Sequence, residues 1–125
     1  MAAIDVGGNI FDQAESLGLQ LGKDYLVPEN FSPHAGLPIE VLNMVYNAAD
    51  AFLTTTHGEG WGLSITEAMS THLPVVAPGV TSIPEILGDD RGWQVRSGHT
   101  PSHWIIKEND NERMRPLMDV EEAAN

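Results

Sequence analysis

Two glutamates flank a glycine-rich turn in the segment H-G-E-G-W-G-L-S-I-T-E-A-M, which covers residues 57–69. Glycines at positions 58, 60 and 62 permit positive φ and close backbone approach, and they lead into a predicted helix whose free N–H groups favour an anion. Helical side chains lean toward the N-terminus, so Glu67 tilts back toward the loop that carries Glu59. The pattern predicts a crevice in which carboxylates accept hydrogen bonds from a sugar diol and the amides of residues 61–63 bind phosphate. An ordinary loop followed by a solvated Glu67 fits the pattern equally well.

Helices and short apolar strands alternate along the chain, and their order decides where this loop lies. Hydrophobic periodicity predicts helices over residues 10–19, 39–49, 62–71 and 83–87. Short apolar runs predict strands over residues 25–27, 51–55, 74–77 and 92–95. Such alternation is typical of an α/β fold with a Rossmann-like parallel sheet and flanking helices. Ligands bind such sheets at the carboxyl ends of the strands, so residues 56–62 lie on the functional rim.

The C-terminal part of the chain has a different pattern. Residues 99–116 are polar, contain two prolines and carry W-I-I at 104–106 as their apolar cluster, which predicts an extended arm across the sheet. Asp119 is expected to cap a final helix, with Glu122 three residues on as in a capping box. We therefore expect a partial nucleotide-sugar-binding domain over residues 1–98 and an arm with the start of a helix over residues 99–125.

Composition and charge exclude several classes of binding partner and of chemistry. The 125 residues make one domain at most, and six basic against eighteen acidic residues give a net charge of −12, which argues against a nucleic-acid groove or an anionic membrane surface. No apolar run approaches the roughly 20 residues of a membrane helix. The N-terminal residues lack the basic and apolar segments of a signal peptide, so a cytoplasmic location is the default expectation. The absence of cysteine excludes disulfides and thiolate chemistry.

Histidines offer two further candidate sites. His57 sits beside Glu59 and is a possible general base, although a single rim histidine is more often a hydrogen-bonding loop residue. His99 and His103 have the i,i+4 spacing of zinc ligands on a helix. Pro101 lies between them and no third ligand is apparent in the sequence, so we expect no metal there.

The sequence allows two roles for each of two other side chains near the loop. Trp61 either stacks on a sugar or base or packs beneath the loop. Glu85 follows Pro84 and is either a plain acidic residue at a helix start or a support for the binding loop.

Four linked motifs resemble one enzyme family. E-G-W-G-L at residues 59–63, E-A-M at 67–69 and L-P-V-V-A at 73–77 are similar to the E-G-[FW]-G-L, E-A-M and P-V-V-A core of GT-B glycosyltransferases. The spacing from Glu59 to Glu67 is that of the E-x7-E motif in their large retaining group. Y-N-A-A-D-A-F-L at 46–53, P-E-I at 84–86 and G-W-Q-V at 92–95 also match, so the resemblance covers about residues 7–98.

The resemblance implies a truncated GT-B C-terminal domain, the half that binds a nucleotide diphosphate sugar and donates its hexose to an acceptor, here unknown. Glu67 would accept hydrogen bonds from the donor ribose, and Glu59 would approach the transferring sugar as the catalytic carboxylate. Residues 28–31 would pass near the nucleobase. No metal or other cofactor is expected. Backbone amides toward the sugar hydroxyls and the diphosphate would come from Gly60, Trp61, Gly62 and Leu63.

The chain also departs from the family pattern. His72 stands where the family usually has a small residue, often glycine. The family's phosphate-binding arginine and lysine are absent before Ile10, as is the N-terminal acceptor domain. Loss of the first strands would bare a sheet edge, so we expect a homodimer or higher oligomer. For the isolated chain we expect residual donor binding at best and no transfer; the alternative is a non-catalytic, self-associating fragment without useful donor binding.

Overall fold

The computed structural model describes residues 4–5, 8–28, 36–107 and 110–125, and the chain divides into two compact units, Met1–Leu42 and Asn43–Asn125. In the first unit, β1 (Ile4–Asp5) and β2 (Gly8–Asn9) form an antiparallel pair. Helix α1 (Ile10–Ser16) follows. The predicted division into residues 1–98 and 99–125 concerns function and stays a prediction.

Helix α1 is shorter than the sequence predicts. Asn9 caps its start by accepting a hydrogen bond from the Phe11 N–H at 3.0 Å. Two residues after its end, Gly18 takes a φ of 77°, and the Leu19 N–H then closes back on the Ala14 carbonyl at 2.9 Å. Glycine in this left-handed conformation ends a helix, so the prediction of helix up to residue 19 is wrong by one turn.

The strand predicted over residues 25–27 is not formed. Tyr25 makes a single isolated bridge with Leu21, because the residues between them fold back as a turn in which the Gln20 N–H donates to the Asp24 carboxylate at 2.9 Å. The short apolar run therefore lacks a neighbouring strand in the part of the first unit that the structure describes. Without a ladder partner, β-propensity alone does not make a strand.

The second unit contains the predicted parallel sheet. Helix α2 (Ile39–Ala48) leads into β3 (Phe52–Leu53), and α3 (Leu63–Ser70) connects β3 to β4 (Val75–Pro78). Helix α4 (Ile83–Leu87) then leads to β5 (Trp93–Val95). The strands are parallel in the order β3-β4-β5. The α/β class is confirmed, and within this unit the helices and strands alternate as predicted from sequence.

The core of this unit lies between β4 and the helices α3 and α4. Ile65 and Ala68 are three residues apart on one face of α3, and Val75 and Ala77 share one face of β4. The cluster of buried side chains comprises Ile65, Ala68, Leu73, Val75, Ala77, Ile83, Ile86 and Leu87. Its position fixes α3 against the sheet, and α3 carries the second glutamate.

A histidine in a left-handed conformation builds the turn between α3 and β4. His72 has a φ of 62°, and its N–H donates to the Met69 carbonyl at 3.0 Å. The Leu73 N–H then reaches the Ala68 carbonyl at 3.2 Å. Glycine adopts positive φ without steric cost. The chain thus keeps here the backbone conformation that glycine favours, with a larger residue in place.

The residues after β5 form a hairpin, and the prediction of an extended arm over residues 99–116 is wrong. A single 3-10 turn, Pro101–His103, precedes β6 (Trp104–Lys107), which pairs antiparallel with β7 (Arg113–Pro116). The apolar W-I-I run finds a ladder partner that its own sequence does not reveal. Helix α5 (Val120–Ala123) follows.

Asp119 caps α5 as predicted, but the Glu122 side chain does not complete the capping box. The Asp119 Oδ1 accepts from the Glu122 N–H at 3.1 Å, as expected. The Glu122 carboxylate instead accepts from the Arg96 backbone N–H at 3.3 Å and from its Nε at 2.6 Å. The Asp119 N–H donates to the Arg96 carbonyl at 2.9 Å. Arg96 therefore ties α5 to the end of β5.

None of the helices in the described ranges has the length and apolar character needed to span a bilayer.

Candidate functional site

The glycine-rich loop leaves the sheet at the carboxyl end of β3, as predicted. The Thr54 N–H donates to the Val76 carbonyl at 3.1 Å and extends the pairing by one step. Thr56 then orders the loop: its hydroxyl donates to the Gly58 carbonyl at 3.2 Å and accepts from the Gly58 N–H at 3.3 Å. These local bonds hold the backbone before Glu59 in one conformation.

Glu59 is held through its main chain by residues that follow β4. Its N–H donates to the Thr81 Oγ1 at 3.0 Å, and its carbonyl accepts from the Ser82 hydroxyl at 3.3 Å. Thr81 has a φ of 52°, an uncommon conformation for a β-branched residue. Both backbone polar groups of Glu59 are thus fixed. The half-buried side chain projects from a rigid support.

Only some of the three glycines are required by the fold. Gly62 is buried with a φ of 82°, and a Cβ there would lie 3.1 Å from the Ile65 Cδ1. A Cβ on Gly58 would lie 3.1 Å from the Thr81 Cγ2. Gly60 has no positive φ, and a Cβ there would meet nothing within 4 Å. Of the three glycines, Gly60 is therefore the one at which the fold does not require glycine.

Helix α3 begins without a side-chain cap. Gly62 is its N-cap residue, and the Gly62 carbonyl accepts from the Ile65 and Thr66 N–H groups at 3.0 and 3.2 Å. The N–H groups of Leu63 and Ser64 come too early in the helix to have an intrahelical acceptor. They point out of the positive end of the helix dipole toward the loop. This end of α3 can accept a negatively charged group.

Glu67 lies in the second turn of α3 and is held by a tyrosine. The Tyr46 hydroxyl lies 3.2 Å from the Glu67 Oε2 and 3.3 Å from the Ser64 carbonyl oxygen. Burial, followed by the hydrogen bond and charge of Glu67, raises the pKa of Tyr46, so the phenol stays a proton donor to the carboxylate. Among the described residues, the Glu67 Oε1 has no hydrogen-bond partner. The sequence places Tyr46 in the Y-N-A-A-D-A-F-L motif, but its spacing alone does not indicate this contact.

Trp61 is 54% exposed, so about half of the residue is open to solvent. Leu63 is also exposed, whereas His57 and Glu67 are half-buried. Glu85 is exposed on α4 and its carbonyl accepts from the Arg91 guanidinium at 3.2 Å. The residues predicted to contact the nucleobase, 28–31, lie largely outside the described part of the chain.

The β6–β7 hairpin brings a cation to the loop that the sequence placed far behind it. A Cβ built on Gly58 would lie 3.3 Å from the Arg115 guanidinium. Arg115 lines a cleft of ≈ 410 Å³ together with Thr56, His57, Gly58 and Asp110. Its hydrogen bond to Asp110 raises the pKa of Arg115. No sequence signal indicated this residue, because the contact depends on a hairpin that was not predicted.

Comparison with known proteins places the chain in a family. The family model described as Glycosyl transferases group 1 matches residues 26–111. O-antigen chain mannosyltransferase B of Escherichia coli is 49% identical over 53 residues, which are 42% of this chain and 14% of that protein. D-inositol 3-phosphate glycosyltransferase of Corynebacterium diphtheriae is 31% identical over 94 residues, which are 70% of this chain and 22% of that protein.

A third relative, a sulfoquinovosyl transferase of Arabidopsis thaliana, is 40% identical over 50 residues, which are 40% of this chain and 10% of that protein. The chain thus spans between 10% and 22% of the lengths of these three relatives. No solved structure matches it. Because the family model covers well over half of the residues and the parallel sheet agrees with a partial Rossmann-like GT-B domain, the chain belongs to the group 1 glycosyl transferases.

Proposed function

We propose that the loop over residues 57–63 and the start of α3 bind a nucleotide diphosphate sugar, and that the whole protein transfers its hexose to an acceptor with retention of configuration. The observation that carries this proposal is the Glu67 carboxylate, which is half-buried beside the open helix start and fixed through one oxygen by Tyr46. Family membership supplies the reaction class.

In this proposal, Glu67 binds the ribose of the donor. With Oε2 held by Tyr46, the carboxylate has a fixed orientation and Oε1 is left to accept from the ribose diol. Hydrogen bonds to a charged acceptor are about twice as strong as neutral ones. A pre-oriented carboxylate therefore binds the diol without a further loss of side-chain freedom.

Glu59 approaches the transferring sugar, and the loop amides bind the sugar hydroxyls and the diphosphate. The main chain of Glu59 is clamped by Thr81 and Ser82, so its carboxylate approaches the transferring hexose from a fixed base. Gly60 has open space around its Cα, which lets a ligand lie against the backbone. The exposed Trp61 indole is available to stack on the donor.

In this mechanism, groups of the protein stabilise the negative charge on the leaving diphosphate, and no metal is needed. The first N–H groups of α3 lie at the end of the loop, and the Arg115 guanidinium, which is paired with Asp110 through Nε, lies beside Gly58. Fixed donors aimed at a developing negative charge lower the barrier to its formation. Arg115 thus supplies a cation of the kind that the resembled family takes from the start of its domain.

The test is calorimetric titration with UDP-glucose, GDP-mannose, UDP and GDP. We expect saturable binding of one nucleotide class and a loss of about tenfold or more in Glu67→Gln, because the amide does not provide the charged acceptor. Glu40→Gln makes the same charge change at an exposed position on α2 and serves as the matched control. Equal affinities for wild type and Glu67→Gln, or no binding by a folded wild type, would reject the proposal.

A second candidate, a self-associating fragment without useful donor binding, is favoured by exposed apolar residues. Met44 and Val45 on α2 and Leu53 on β3 are all exposed, Leu53 by 59%. In the described ranges, β3 pairs with β4 alone and so is an edge strand. Analytical ultracentrifugation should show a dimer or higher oligomer that Leu53→Lys dissociates, because lysine blocks edge pairing. A monomeric wild type would exclude this candidate.

A further inference from the structure

Three potential metal ligands, none of them one of the donor loop glutamates, come together near α5. His99, His103 and Asp119 each offer one ligand atom, and these atoms lie within 4.8 Å of one another. The His99 Nε2 is 3.4 Å from the Asp119 Oδ2. Bonds of about 2.0–2.1 Å in tetrahedral geometry separate two zinc ligands by roughly 3.3–3.4 Å. This pair already has the spacing that zinc requires.

The structure removes both objections that the sequence raised. Pro101 is incompatible with a helical i,i+4 pair, but the chain here forms a 3-10 turn, Pro101–His103. The His99 and His103 rings stack with centroids 4.4 Å apart and planes inclined by 26°, so the turn brings the two imidazoles together as a helix would. The missing third ligand is Asp119, which the hairpin returns to this turn.

Two of the three ligands are oriented by a second contact. The His103 Nδ1 lies 2.6 Å from the Thr100 Oγ1, and a proton on Nδ1 that is donated to this hydroxyl leaves the lone pair on Nε2. Histidine ligands of metals are usually oriented in this way. Asp119 divides its two oxygens: Oδ1 accepts from the Glu122 N–H, and Oδ2 faces His99. Capping of α5 and metal binding therefore do not compete for the same atom.

We propose that His99, His103 and Asp119 bind one Zn²⁺ per chain. Two imidazoles and a carboxylate suit zinc better than Mg²⁺ or Ca²⁺, which prefer all-oxygen ligand sets. Three protein ligands leave a fourth position for water. His103 and Asp119 line a cleft of ≈ 550 Å³ that also reaches His57, and this cleft gives water access to the site.

Neighbouring charges permit a cation at this position. The Arg96 guanidinium lies 3.8 Å from the Asp119 Oδ2, but its Nε is paired at 2.6 Å with Glu122. The net charge of the chain is −12, which favours cation binding in general. The bound metal would join the end of β5, the 3-10 turn and the start of α5, and would thereby stabilise the C-terminal segment.

The experiment is calorimetric titration of the chain, free of any polyhistidine tag, with ZnCl₂ and without sugar nucleotide. We expect one saturable site, and visible absorption bands of tetrahedral Co²⁺ when cobalt replaces zinc. Loss of an outer-shell partner alone costs about 10–100-fold in affinity, so His103→Gln and Asp119→Asn should each cost about 100-fold or more. Asparagine still caps a helix, so Asp119→Asn leaves α5 intact. Thr100→Val should cost about tenfold.

His72→Asn is the matched control, because it removes an exposed histidine from a left-handed position that asparagine tolerates. Zinc should raise the melting temperature of the wild type and of this control, but not of Asp119→Asn. The proposal is overturned if the folded wild type shows no saturable site, or if Asp119→Asn and His103→Gln keep wild-type affinity. Since no donor is present, failure of the proposed transferase site does not affect this result.

Discussion

Replacing Gly62 by alanine tests whether the start of α3 has the geometry described above. A non-glycine residue at a φ of 82° costs about 1–2 kcal/mol because its Cβ approaches the carbonyl oxygen. The new methyl would also lie 3.1 Å from the Ile65 Cδ1 and 3.5 Å from the Ile86 Cδ1, both in the core. Crowding a packed core typically costs about 1–3 kcal/mol. We expect Gly62→Ala to lower the free energy of unfolding by roughly 2–5 kcal/mol.

Gly60→Ala is the matched control, two residues away in the same loop. Its φ is not positive and its Cβ would occupy open space, so the substitution removes chain entropy from the unfolded state at no steric cost. We expect a change between zero and about 1 kcal/mol in the stabilising direction. Urea denaturation, with the midpoints compared at a common slope, measures both variants.

The two variants also separate folding from binding. Gly60→Ala should fold normally and still weaken donor binding, because its methyl occupies the space against which the ligand would lie. The geometric reasoning is refuted if Gly62→Ala unfolds within about 0.5 kcal/mol of wild type, which is the scatter of neutral surface substitutions. A Gly60→Ala variant that loses as much stability as Gly62→Ala would refute it too.

Three other substitutions have defined outcomes. Tyr46→Phe should cost about 1 kcal/mol by removing the hydrogen bond to Glu67. The pKa of Tyr46 is raised above its ordinary 10.0, so its contribution to stability is complete below that pH and is lost as the pH rises through the raised pKa. Urea denaturation above pH 10 should therefore show a lower free energy of unfolding for the wild type, but no such loss from this hydrogen bond in Tyr46→Phe. Arg115→Gln should weaken UDP or GDP binding in calorimetry about tenfold, and Arg113→Gln, exposed on the same strand, should not. Leu87→Ala, at a fully buried position, should cost about 2–5 kcal/mol in urea denaturation.

The fold was predictable from sequence where local signals agree with packing. Helix α4 has the bounds expected from Pro84 near its start and Gly88 after its end. Strand β4 is a short apolar run and is buried as expected. The hairpin was missed because β7 has the sequence R-M-R-P, which carries no strand signal of its own. Its conformation comes from pairing with β6, which is a tertiary contact.

The candidate site divides in the same way. Glu59, Gly62 and Glu67 were selected because their spacing is local, and their elements formed as expected. Arg115 and Asp119 were not selected for binding, because each reaches its position through the hairpin. Residues that meet across a long stretch of chain leave no trace in spacing, so one sequence without its structure could not indicate them.

The two sheets of the second unit also differ in how they must assemble. Lys107 pairs with Arg113 across a short stretch of chain, whereas Phe52 pairs with Val75 only after α3 has been spanned. Hairpins form in roughly 1–10 μs, and pairings of high sequence separation are slower. We therefore expect the hairpin to close before the parallel sheet forms. The apolar central strand β4 stays unpaired until its two long-range pairings, with β3 and with β5, have formed, which makes it the segment most exposed to aggregation during folding.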